Sequence, residues 1–199
     1  MVPETYNWKY MCVCKQGGIF LEKRIRKPNR LQGYDYSRDG VYFITICTQN
    51  RNPVLSDIVI DSVGEGFPLP HLKQAGNIVQ EYFNHLHEKY PMVYVDYFMI
   101  MPDHVHVLLR VTNDNEINGT GNPSPTVGNV VGWFKYQTTK EINLISGTTG
   151  MRVWQRSYYD HVIRCDEDYW HIRQYIEENP IRWIEKMSGR GDPAPTVWE

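Results

Sequence analysis

Two runs rich in β-branched and aromatic residues, Met92–Met101 (MVYVDYFMIM) and His104–Val111 (HVHVLLRV), are separated only by Pro102-Asp103. Two residues cannot carry a crossover connection, so the runs pair antiparallel as a hairpin. That commits this part of the chain to a sheet. It also places chemistry on one side of it, because residues two apart in a strand share a face. His104 and His106 project together while Val105 and Val107 take the other side. Two imidazoles about 6–7 Å apart along a strand can share one divalent ion, and imidazole is the commonest metal ligand. The competing reading is a pair of polar residues on a solvated face. Tyr97, Phe98, Ile100, Leu108 and Leu109 read as buried neighbours, yet spacing alone leaves both readings open.

Around this hairpin the periodicity supplies the other elements. Val41–Thr48 (VYFITICT) is a continuous apolar run, the pattern of a central strand covered on both faces. Residues 49–73 are polar and turn-rich, a loop with room for a short hairpin. Between Gln74 and Tyr90, Ala75, Ile78, Val79, Tyr82, Phe83 and Leu86 recur at helical spacing. Residues 112–126 hold almost nothing apolar and read as a loop. Val127, Val130, Val131 and Phe134 start a second helix reaching about Leu144, and Arg152–Gln155 is read as the beginning of a short strand. Asp166 is the expected N-cap of a third helix, with Tyr169, Ile172 and Ile176 on one face. Pro180 is expected to end or kink it near Asn179. The order strand, helix, strand, strand, helix, strand is that of an α+β, ferredoxin-like (split βαβ, RRM-like) fold. It has an antiparallel sheet with helices on one face and an additional C-terminal helix.

Composition narrows the function less than the pattern does. No run of the 199 residues approaches the roughly 18 apolar residues of a membrane span. The first residues lack a signal-peptide layout, so a cytoplasmic location is expected, with no membrane partner. Cys12, Cys14, Cys47 and Cys165 form no CxxC pair and read as reduced thiols. A net charge of −2 argues against coating nucleic acid by bulk charge, but the average hides an asymmetry. Residues 1–60 carry nine Lys/Arg against five Asp/Glu, residues 61–120 three against eight, and 121–199 nine against ten. Lys23, Arg24, Arg26, Lys27 and Arg30 cluster without an intervening acid, which suits phosphate contacts or simply a solvated arm.

The third helix adds a second candidate. Tyr175 and Asn179 are four apart and share a helical face. A phenol, with a pKa near 10, is a poor nucleophile at neutral pH. Attack on a phosphodiester therefore needs a base or a metal polarising the phosphate. The histidine pair and the Tyr/Asn pair would together supply those parts, although Tyr158, Tyr159 and Tyr169 are equal candidates by residue type alone.

Four blocks in order carry a resemblance: Arg30–Arg51, Met99–Val107 with His104-Val105-His106, Val153–Arg164, and Tyr175-Ile-Glu-Glu-Asn-Pro-Ile-Arg-Trp183. The chain resembles the single-tyrosine HUH transposases of the insertion-sequence-200-like type, in particular the REP-associated tyrosine transposases. The resemblance implies an N-terminal arm over 1–29, a catalytic domain over 30–187 and a flexible tail over 188–199. It implies a metal-dependent enzyme that nicks and rejoins single-stranded, hairpin-containing DNA (REP-like or element ends) through a 5′-phosphotyrosine link, without ATP. Carried onto this chain, Tyr175 is the nucleophile, and His104, His106 and Asn179 hold Mg²⁺ or Mn²⁺. Candidate DNA contacts are Lys23, Arg24, Arg26, Lys27 and Arg30 of the arm, with Arg156 and Arg173. Gln155 and Arg164 could contact DNA or belong to the scaffold. Trp154 and Trp183 read as core before base-stacking, and His161 as a neutral hydrogen-bonded histidine before a ligand. Relatives of this type occur as monomers and as homodimers. The alternative is a catalytically silent hairpin-binding protein of the same fold; a third reading is a hydrolase using the histidines with water.

Overall fold

The computed structural model describes residues 35, 36, 38–60, 67–112 and 125–189. The basic cluster 23–30, the arm 1–29 and most of the 112–126 loop lie outside the described residues, as does the tail beyond 189. Within them, four strands form one antiparallel sheet: β1 (Gly40–Cys47), β4 (Val93–Ile100), β5 (His104–Val111) and β6 (Tyr159–Ile163), in the order β4-β5-β1-β6. A separate two-stranded hairpin pairs β2 (Ser56–Val59) with β3 (Leu69–Leu72) inside the 49–73 loop. The helices are α1 (Gln74–Asn84), α2 (Leu86–Lys89), α3 (Val127–Ile145) and α4 (Asp166–Met187). β5 inserts between β1 and β4, which is the split βαβ topology of an α+β, ferredoxin-like fold.

Alternation along β1 explains the layering. Tyr42, Ile44 and Ile46 point to one face, where Val105, Val107 and Leu109 of β5 join them. Ile78, Val79 and Phe83 of α1 and Val130, Val131 and Phe134 of α3 close over that face. Phe83 and Phe134 stack at 4.4 Å between ring centroids, a pair worth about 0.5–1.5 kcal/mol beyond its buried area. Phe43 points the other way with Leu108, and there Ile172 and Ile176 of α4 cover them. A strand buried on both faces needs exactly such an uninterrupted apolar run. The N-cap of α3 is Thr126, whose hydroxyl accepts from the Asn129 N–H at 3.2 Å.

β4 carries a bulge between Val95 and Tyr97. Without it, Tyr97 and Met99 would follow Val93 and Val95 onto the α1/α3 face. The extra residue reverses the alternation, so Tyr97 and Met99 pack with the α4 side instead. Asp96, at the bulge, pairs with Arg110 of β5.

Gly76 is required by a close approach. A Cβ there would lie 2.1 Å from the Leu55 carbonyl oxygen, which accepts from the Lys73 N–H at 2.9 Å. Leu55 in turn donates its N–H to Pro102 at 3.1 Å. The start of α1 is thereby tied to the turn that precedes His104.

Three sequence expectations shift. The short strand at Arg152–Gln155 reduces to a single bridge, Trp154 with Thr48, and the fourth sheet strand is Tyr159–Ile163. Helix α4 starts at Asp166 with Cys165 as N-cap, and it runs through Pro180 to Met187. The helix expected over 74–90 breaks at His85 into α1 and α2.

Candidate active site

Register, not sequence proximity, assembles the site. Across β1 and β5, Thr45 faces His106 and Cys47 faces His104. Both histidines are buried, on the α4 side of the sheet. Their Nε2 atoms stand 3.1 Å apart. Each ring is fixed from behind through its Nδ1, which meets Asp103 Oδ1 at 2.5 Å for His104 and Thr45 Oγ1 at 2.8 Å for His106. Asp103 Oδ1 also meets Arg51 Nη1 at 3.5 Å, and its carbonyl accepts from the Thr48 N–H at 2.9 Å.

The electrostatics keep these groups in the forms a cation site needs. Burial, reinforced by the neighbouring His104, holds the His106 imidazole well below its usual range, with the nearby Asn179 carboxamide acting in the opposite direction. It is therefore neutral at physiological pH. Burial pushes the Asp103 carboxyl up, but the hydrogen bond to His104 and the charges of His104, Arg51 and Lys186 outweigh it and leave Asp103 below its usual value. Asp103 thus holds His104 through Nδ1, and the His104 Nε2 faces His106.

Helix α4 supplies the rest. Tyr175 lies half-buried with its ring 5.5 Å from the His106 ring and 6.1 Å from Phe43, edge-on to both. Asn179, one turn on, is buried. Its carboxamide lies next to His106 and donates to the Tyr175 carbonyl at 3.4 Å. Arg182 sits 5.7 Å over the Tyr175 ring, and Trp183 lies 6.3 Å from His104. One chain thus brings Tyr175, His104, His106 and Asn179 together.

This donor set fits a hexacoordinate divalent ion. Ligands at about 2.0–2.1 Å in adjacent octahedral positions are about 3 Å apart, and the two Nε2 atoms stand at 3.1 Å. At that distance the two nitrogens share either a proton or a cation. Hydrogen-bond acceptors behind each imidazole are the usual partners of metal-bound histidines. No group of three or more His, Cys, Asp or Glu side chains suited to a metal occurs among the described residues. Asn179, buried beside the pair, is the further polar side chain that α4 brings to this place.

The other sequence candidates fall elsewhere. Arg173 stacks 4.3 Å over the Tyr97 ring and pairs with Glu177 at 3.1 Å, fastening α4 to β4. Arg156 is exposed beyond the end of β1. Lys23, Arg24, Arg26, Lys27 and Arg30 lie outside the described residues. His161 Nε2 meets Asp168 Oδ2 at 2.9 Å, well away from the Nε2 pair in role and partner. Trp154 belongs to the core and donates to Thr138 Oγ1 at 2.9 Å. Sequence reasoning passed over Thr45, Asp103 and Arg51. Asp103 was adjacent to the histidines, but Thr45 could be found only from the β1–β5 register.

The family described as Transposase IS200 like matches residues 37–179, and the chain belongs to that family. An uncharacterized protein of Haemophilus influenzae is 32% identical over 170 residues, covering 79% of this chain and 89% of its own. A second H. influenzae protein, provisionally named a REP-associated tyrosine transposase, is 25% identical over 153 residues and 74% of each chain. The fold is shared with a REP-associated tyrosine transposase solved bound to a REP hairpin, at 17% identity and a TM-score of 0.50 over 77% of this chain and 73% of that one. No helix among the described residues is long and apolar enough to cross a membrane.

Proposed function

We propose that the protein nicks and rejoins single-stranded DNA carrying hairpins, with Tyr175 as nucleophile. The observation that carries this reading is the Tyr175 ring packed on His106, with both histidine Nε2 atoms converging and Asn179 beside them. A hairpin substrate is supported by family membership and by the REP hairpin in the related structure.

His104, His106 and Asn179 would hold Mg²⁺ or Mn²⁺. When bound, the ion polarises the scissile phosphate and stabilises charge developing on its oxygens. Imidazole ligands suit Mn²⁺ better than Mg²⁺, which prefers oxygen. The Tyr175 Oη attacks phosphorus and forms a P–O bond. The bond to the 3′ oxygen breaks, that oxygen leaves as a 3′-hydroxyl, and the phenolic proton is released. The product is a 5′-phosphotyrosine, which conserves the phosphodiester's energy and allows the 3′-hydroxyl to reverse the step without ATP. Phe43 and His106 restrict where the Tyr175 ring can lie, which helps to hold nucleophile and phosphate together.

Residues 30–187 would form the catalytic domain, with Lys23, Arg24, Arg26, Lys27, Arg30, Arg156 and Arg173 as further DNA contacts. The test is an SDS-resistant adduct with a hairpin oligonucleotide in Mn²⁺ or Mg²⁺. Wild type forms it, and Tyr175→Phe abolishes it while still shifting the oligonucleotide on a native gel. Binding without an adduct in the wild type would mean a silent hairpin-binding protein. Cleaved strands without an adduct would mean a water nucleophile.

A further inference from the structure

Outside the tyrosine site, one groove combines positive charge with a rigid frame. It lies between the outer face of α3 and the segment 150–156, with a volume of about 460 Å³. Lys135, Lys140, Arg152 and Arg156 line it, and no acidic residue does, in a chain whose net charge is −2. Lys140, Arg152 and Arg156 are exposed, and none of them enters a salt bridge among the described residues. Tyr136, 67% exposed, adds an aromatic face to the same wall.

The walls are pinned. Asn143 Nδ2 donates to the Met151 carbonyl at 2.9 Å, and Trp154 Nε1 donates to Thr138 Oγ1 at 2.9 Å. Lys135 donates to the carbonyls of Gln155 and Ser157 at 3.1 and 3.0 Å, so its charge is committed to the frame. Gln155 N–H bonds the Cys47 carbonyl at 2.9 Å, and Cys47 faces His104 across the next strand. The inner wall of the groove is thus one strand away from the histidine pair.

We propose that this groove binds the single-stranded DNA flanking the cleaved bond, through phosphate contacts from Lys140, Arg152 and Arg156 and a base stacked on Tyr136. The inference rests on the reading of the protein as a single-strand DNA enzyme and adds a site to it. A volume of this size takes drug-sized ligands, hence a nucleotide or two of one strand and not a duplex. Basic grooves interleaved with aromatic rings are the general solution for holding single strands. Gln155 ties the inner wall to Cys47 and Thr48 at the end of β1, so a strand leaving the groove has to pass that end to reach His104 and Tyr175 on the other face of the sheet.

The test compares a hairpin oligonucleotide bearing single-stranded flanks with the same hairpin lacking them, using the full chain and fluorescence anisotropy across a salt series. The variant carries Lys140→Ala, Arg152→Ala and Arg156→Ala together. On the flanked hairpin its affinity falls roughly ten- to hundredfold near 0.1 M salt, and the log–log salt slope becomes shallower by about two. On the flankless hairpin its loss is several-fold smaller, limited to what Arg156 contributes outside the groove. Tyr136→Ala weakens the flanked hairpin about fivefold or more, without changing the salt slope. The charge-preserving set Lys140→Arg, Arg152→Lys and Arg156→Lys keeps wild-type affinity, which separates charge from folding. A triple-alanine variant with unchanged affinity and slope overturns the inference, as does an equal loss on both hairpins. A wild type that binds neither oligonucleotide defeats the proposed function itself. One that binds and forms the Tyr175 adduct, alongside an unaffected triple variant, defeats only the groove.

Discussion

The two faces of the sheet are built from alternate residues of the same strands, yet they differ in kind. The α1/α3 face is mostly apolar: Ile44, Val107, Phe83 and Phe134 pack together, and buried Asp160, beside Ile44, and Thr138, beside Trp154, are set into its margin. On the α4 face the buried apolar set shrinks to Phe43, Leu108, Ile172 and Ile176. Partly buried Tyr97, Met99 and Tyr169 border it, and Thr45, His104, His106, Asn179 and Tyr175 take positions beside it. The difference teaches where stability has been given up. One face holds the sheet together, and the other holds a helix in place with a minimal apolar patch so that polar groups can converge beneath it.

The largest test of that division sets Phe134→Ala against Ile176→Ala. Removing Phe134 opens a cavity in the dry face and costs about 3–5 kcal/mol in chemical denaturation. Ile176→Ala removes one of four residues anchoring α4, so the expected response is local. Amides of residues 166–187 exchange faster, adduct formation drops, and the global transition moves less than for Phe134→Ala. Equal losses of global stability in both variants would show that the two faces unfold as one unit.

Pro180 sharpens the same contrast. A proline inside a helix removes a hydrogen bond and crowds the carbonyl four residues back, at a cost of about 3 kcal/mol. Here that carbonyl belongs to Ile176, next to Tyr175, and α4 continues past it to Met187. Pro180→Ala is expected to stabilise the protein by about 1–3 kcal/mol while slowing adduct formation, because relaxing the turn moves Tyr175 and Asn179 relative to His106. A variant that is both more stable and equally active would show the proline to be incidental.

This helix also marks the limit of what the sequence reveals. The hairpin around Pro102-Asp103, the shared face of His104 and His106, and the doubly buried strand at 41–48 were all legible, because each follows from a local period. Of the two outcomes expected at Pro180, an end near Asn179 does not occur: α4 continues to Met187 because tertiary packing of Ile172 and Ile176 outweighs local propensity. Strand β6 was misplaced for a related reason. Arg152–Gln155 looks strand-like but makes only the Thr48–Trp154 bridge, whereas Tyr159–Ile163 pairs with β1 and sets Asp160 and Val162 on the α1/α3 face and His161 on the α4 face. The partners Thr45 and Asp103 depend on cross-strand register and ring orientation, which no local pattern encodes.

Those two partners give a smaller test, confined to the polar face. Asp103→Asn and Thr45→Val leave both imidazoles in the chain but remove what orients them. Mn²⁺ affinity, read by electron paramagnetic resonance of the free ion, is expected to fall about 10–100-fold in each. Thr45→Ser keeps the hydroxyl and restores affinity. Unchanged affinity in Asp103→Asn and Thr45→Val would mean that strand geometry alone holds the rings.

The smallest effect belongs to Lys135, where α3 of the dry face reaches the rim of the sheet. Burial lowers its ammonium to about 8 from an ordinary 10.5, slightly offset by Cys47. Three backbone carbonyls, those of Gln155, Arg156 and Ser157, accept from it and favour the charged form. With the folded pKa below the unfolded one, the unfolded chain binds the extra proton between pH 8 and 10.5. Stability attributable to Lys135 therefore rises with pH across that window and falls as pH drops back through 8. The side chain remains partly solvated, so the change is within about 1 kcal/mol. It appears as the difference between wild type and Lys135→Met in denaturation midpoints, a subtraction that cancels the tyrosines titrating above pH 10. A flat difference from pH 7 to 10.5 would mean that the three carbonyls hold the proton as firmly as water does, and that burial of the rim costs the charge nothing.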